Sequence, residues 1–160
     1  MALKPMLRWL ISVAVVVAGS GAHAITPSNF PKPAPQLDPS SVVRLQLDAL
    51  AHVDEPVRDA GLAIVYGFAS PNNHAQLGSF RRFAALIRAG YPEMLNHRSV
   101  LLNEVIVRDD HAIQGVDLID RAGNVHHYTF LLSRHHDAPL KDCWLTDGVL
   151  TGPTTTRLET

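Results

Sequence analysis

Midway along the chain the apolar residues change their period, and no other feature limits the fold as strongly. Up to about Tyr91-Pro92 they recur every three or four positions; from residue 100 onward they lie in short β-branched runs separated by turn residues. In the first half, Ser40 or Ser41 is placed to cap a helix whose apolar positions are Val43, Leu47, Leu50 and Ala51. Asp54-Glu55-Pro56 reads as the start of a second helix carrying Val57, Ala60, Ile64, Val65 and Phe68 on one side, with Ser70-Pro71-Asn72-Asn73 as its stop. Ser79 caps a third, with Phe80, Phe83, Ala84 and Ile87 inward and Gly90 at its end. The second half reads as strands over residues 100–107, 113–120, 125–133 and 143–150, the middle two joined by the hairpin signal Arg121-Ala122-Gly123-Asn124. Helices followed by a strand meander predict an α+β fold: about three N-terminal helices packed on one face of an antiparallel sheet of about four strands, which the resemblance given below implies is curved into a cone.

The two ends read differently from this middle. Lys4 and Arg8 are the only charges among the first 24 residues; an apolar run from Trp9 to Ala18 follows, broken only by Ser12, and then Gly19-Ser20-Gly21 and Ala22-His23-Ala24. A basic start, a short apolar middle and a small-x-small exit predict a cleavable secretory signal over residues 1–24, cut after Ala24. The run is about half of the ~20 apolar residues that a membrane span needs. The expected location is therefore secreted or periplasmic, with no membrane span once the signal is removed. Residues 25–40 contain Pro27, Pro31, Pro33, Pro35 and Pro39 and read as a tether. The predicted domain occupies residues 41–150, and residues 151–160, Thr-rich around Gly152-Pro153, read as a flexible tail.

Without residues 1–24 the chain keeps 12 basic and 15 acidic residues, a formal charge of −3, with no basic stripe of the kind that binds nucleic acid. Cys143 is the only cysteine, so no intramolecular disulfide can form and packing must hold the fold. That residue reads as a small buried apolar side chain, Lys141 being the nearby positive group that a reactive thiol would use.

Histidine pairs at His126-His127 and His135-His136 raise the question of a metal. Neighbours on a strand point to opposite faces, the second pair lacks a spaced third ligand, and no HExxH motif is present. Neither a metal nor a cofactor is expected. Asp147 is a stronger candidate. Strict strand alternation puts it on one face with Cys143, Leu145 and Val149; were that face inward, desolvation would disfavour its charge and suit acid or base work. The plainer alternative is a carboxylate bonded to backbone near Gly148. His97 is the second candidate base, and Tyr66, Trp144 and Arg98 are candidate ligand-lining residues, each equally serviceable as packing or ion pair.

Several segments together resemble a known family: Val43 to Leu50, Phe68-Ala69-Ser70-Pro71 with Asn73, His97-Arg98-Ser99, and Cys143 to Val149. They are similar to the family catalogued as domain of unknown function 4864. That family is in turn similar to the nuclear transport factor 2-like superfamily, a cone of curved sheet wrapped on helices. The resemblance implies the same architecture and no particular activity, since this fold hosts enzymes and plain binders alike. The expected function is non-catalytic binding of a small apolar or amphipathic molecule, or of a protein, in the cone. Two alternatives stay open: an isomerase or dehydratase with Asp147 or His97 as general base, and an oligomeric module, such as a homodimer, that covers an open sheet face.

Overall fold

A computed structural model describes residues 30–155. The expected signal segment and its cut after Ala24 lie outside the described residues, as do the first residues of the expected tether. Four helices precede four strands: α1 Pro39–Ala51, α2 Ala60–Gly67, α3 Pro71–Leu77 and α4 Phe80–Gly90, then a single 3-10 turn at Pro92–Met94, then β1 Ser99–Arg108, β2 His111–Ile119, β3 Val125–Arg134 and β4 Trp144–Thr155. The strands form one curved antiparallel meander in the order β1-β2-β3-β4. The α+β class and the four strands are as the periodicity predicts.

The helical half differs in three places, each with a local cause. Helix α1 starts at Pro39, because the Asp38 carboxylate accepts the Ser41 N–H at 2.7 Å and proline suits the first helical position. Ser40, an expected cap, instead donates to Gln114 Oε1 at 2.6 Å. Helix α2 starts at Ala60 rather than near Pro56. Asp54 accepts the Asp59 N–H at 2.9 Å and pairs with Arg88 at 2.6 Å, so it ties a loop and caps nothing. Val57, expected inward, is exposed in that loop. Ser70-Pro71, expected as a stop, opens the additional helix α3: Ser70 Oγ accepts the Asn73 N–H at 3.3 Å. Ser79 caps α4 as expected, accepting the Arg82 N–H at 3.4 Å.

The sheet carries three irregularities, and two of them lie in β4. Opposite His127, Gly152 and Pro153 fill one register shift, so proline's missing donor is not needed in the ladder. This is how β4 continues to Thr155 through residues expected to form a free tail. The inward face of the sheet is Ala112, Gln114, Val116 and Leu118 from β2 and Tyr128, Phe130 and Leu132 from β3, all buried. Val43, Leu47, Leu62 and Phe68 from the helices close on it to make the core.

Candidate functional site

Three of the four family-like segments meet at Thr146, all but His97-Arg98-Ser99. Residues Phe68 to Ser70 run beside the open edge of β4 as one parallel bridge: Thr146 N–H donates to the Phe68 carbonyl at 2.8 Å, and the Ser70 N–H donates to the Thr146 carbonyl at 2.9 Å. Asn73 Nδ2 reaches that same carbonyl at 3.0 Å. Gln46, from α1, donates to Thr146 Oγ1 at 2.9 Å and to the Val42 carbonyl at 3.1 Å. Gln46, Ser70 and Thr146 are all buried, so leaving any of them unpaired would cost on the order of 1–3 kcal/mol. Their polarity is accounted for by this clasp, which docks α1 and the α2–α3 corner onto the last strand.

Asp147 is the extra residue of the bulge that follows. Leu132 pairs with Thr146 and Leu131 with Gly148, which leaves Asp147 unopposed. The bulge also breaks the expected alternation. Trp144 and Thr146 face the core before it and Val149 faces the core after it, so Asp147 does not share an inward face with Cys143, Leu145 and Val149. Its carboxylate is half-buried and accepts from Ser133 Oγ at 2.9 Å.

Two cavities meet at this bulge. The first is a cleft of about 310 Å³ between the helices and β3–β4, walled mainly by Leu50, Val65, Phe83, Ile87, Phe130 and Val149. Among the described residues, Asp147 is the only charged one lining it. The second is a polar recess lined by Ser70, Asn72, His111, Ser133, His135 and Asp147. Gln76 and Asp147 border both.

The remaining candidates lie elsewhere. His97 is buried, its Nδ1 2.8 Å from the Met94 carbonyl, beside a shallow surface hollow that it shares with His52, Glu55, Arg98 and Arg121. Arg98 is exposed, and its N–H donates to the Ile119 carbonyl at 2.8 Å. Tyr66 spends its hydroxyl on the Gly78 carbonyl at 2.6 Å and packs its ring against His74, Phe80 and Phe83. Trp144 belongs to the core. Cys143 is buried; burial pushes its thiol pKa up and the Asp142 carboxylate adds to the shift, which disfavours the nucleophilic thiolate. Asp147 and His97 therefore share no cavity, and neither Tyr66 nor Trp144 lines the cleft.

Three of the histidines are paired with carboxylates. His126 meets Asp120 at 2.8 Å, His127 meets Asp117 at 2.6 Å, and His136 meets Asp110 at 2.7 Å. The bond from His126, helped by the Asn124 N–H, holds the Asp120 carboxyl down to about 2. His126 and His127 go to different carboxylates, in keeping with the strand argument that separates them. Among the described residues, no three His, Cys, Asp or Glu side chains are grouped to hold a metal.

Sequence reasoning missed His111, His135 and Ser133 as neighbours of Asp147. Counting back from a turn at residues 121–124 puts His111 opposite Arg134, but the connection has one more residue, Asp120, so the ladder pairs His111 with Ser133 and every facing differs from that count. The bulge that turns Asp147 towards Ser133 left no mark in the alternation.

Fold and site together define a small α+β domain with an apolar cleft beside a polar recess at a bulged edge strand. The chain belongs to the family described as Domain of unknown function (DUF4864), whose profile matches residues 34–156. No curated protein and no solved structure gives a match.

Proposed function

We propose that this is an exported, cone-shaped binding protein of the nuclear transport factor 2-like kind, which holds a small apolar or amphipathic molecule without transforming it. The apolar cleft beside Val149 carries this reading. Its volume of about 310 Å³ is at the lower end of the range for small-ligand pockets, ~300–1,000 Å³. Its walls are aliphatic and aromatic, with Gln46, Asn73 and Thr146 already engaged in the clasp. The basic start and small-x-small exit of residues 1–24 support export.

Titration with a neutral apolar reporter, N-phenylnaphthylamine, tests the cleft by fluorescence. Val149→Trp fills the cleft from the strand side and should weaken binding at least about tenfold, or ~1.4 kcal/mol. Leu86→Trp, at an exposed position on the rim, should weaken it as well without touching the core. Equal affinity in wild type and both folded variants would rule the cleft out as the binding site.

A second reading, the oligomeric module, has its own support. Leu101, Ile106, Ile113 and Leu150 are exposed and share the outward side of the sheet.

A further inference from the structure

We infer that the polar recess behind Asp147 is the head-group subsite of the cleft, and that the ligand is an amphiphile whose head is a cation such as an alkylammonium. The inference rests on the proposed binding function and adds the ligand's chemistry to it.

The cleft and the recess adjoin at Gln76 and Asp147, so a molecule with its tail against Phe83, Ile87 and Val149 reaches the recess at its polar end. The cleft offers a tail ample apolar wall and offers a head very little, because its main polar side chains are bonded within the protein. The recess is the reverse, lined by hydroxyls, imidazoles and a carboxylate. Among the described residues, Asp147 is the one of fixed formal charge lining either cavity, and no Lys or Arg lines them. Ser133 occupies Oδ1 of that carboxylate, and no cation among the described residues is paired with it. Its position at a bulge matters too. The extra residue lies where the edge strand turns from the inward cleft to the outward recess, so Asp147 borders both, with its carboxylate on the Ser133 side. An anionic head would meet uncompensated repulsion there, whereas a cationic head supplies the missing partner in a half-buried setting, where charge-assisted bonds are about twice as strong as neutral ones. His111 and His135 are the other titratable groups facing the recess, and above about pH 8 imidazole is generally neutral.

The test is calorimetric titration of the full protein at about pH 8, below micelle formation, with three decyl amphiphiles: the trimethylammonium, the neutral maltoside and the sulfate. Wild type should bind the ammonium at least about tenfold more tightly than the sulfate, with the maltoside between them. Asp147→Asn preserves the size of the side chain and the bond from Ser133. It should remove most of that preference and leave maltoside affinity within about twofold, whereas Val149→Trp should weaken all three. Binding of all three with no charge preference, or a preference for the ammonium that survives in folded Asp147→Asn, would overturn the head-group inference and leave the binding function standing. Binding of none would overturn both. The wild-type comparison needs no variant, so a poorly folded mutant does not spoil it.

Discussion

Phe68→Ala should remove about 3–5 kcal/mol of folding stability, the loss expected when a fully buried ring is truncated. Phe68 is fully buried at the end of α2, and its carbonyl receives the Thr146 N–H, so its ring sits where helices and last strand join. Urea unfolding followed by circular dichroism measures the change. Phe83→Ala is the informative contrast: that ring is also in the core cluster but lines the open cleft, so its loss enlarges a space already present and should cost less. A loss within about 0.5 kcal/mol at Phe68, the scale of a surface change, would contradict this account of the core.

Gly61→Ala should be nearly as damaging for the opposite reason. A Cβ on Gly61 would lie 2.1 Å from the Ala49 carbonyl oxygen and 2.9 Å from Val53 Cα. Both are backbone atoms and cannot swing aside as a side chain would, and the Gly61 N–H is bonded to the Val53 carbonyl at 2.9 Å. Helices α1 and α2 would have to part, at a cost of about 3 kcal/mol or more, the upper end of ordinary overpacking. Gly67→Ala, at the exposed end of α2, has nothing within 4 Å of the added methyl and serves as the control. It should leave the protein unchanged or raise stability by up to ~1 kcal/mol, through the unfolded chain. If the two substitutions have equal effects, the close approach of α1 and α2 is wrong.

What could be read in the sequence was whatever depends on period. Val43, Leu47 and Leu50 are buried on α1, Phe83 and Ala84 on α4, and the four strands lie close to where β-branched runs and turn residues put them. What could not be read depends on long-range partners. Asp54 looks like a helix-starting acid until Arg88, from α4, takes its carboxylate. Ser70-Pro71 stops one helix and starts another, and the sequence does not separate the two uses; the parallel case of Asp38-Pro39 shows that the starting pattern was available. The site was the least legible part. A bulge inserts one residue and reverses the faces beyond it, so alternation applied straight through residues 143–150 assigns Trp144 and Thr146 to the wrong side. The same bulge brings Asp147 beside Ser133 and the two recess histidines.

The proposed export and amphiphile binding are most directly tested by a native mass spectrum of the protein recovered from the secreted or periplasmic fraction. The expected spectrum shows a chain beginning at Ile25 that carries one bound small molecule. That molecule should be lost on denaturation, positively charged in its own right, and absent when Val149→Trp is recovered in the same way. A bare chain in every preparation, or an adduct that persists unchanged in folded Val149→Trp, would contradict the cleft as the seat of function.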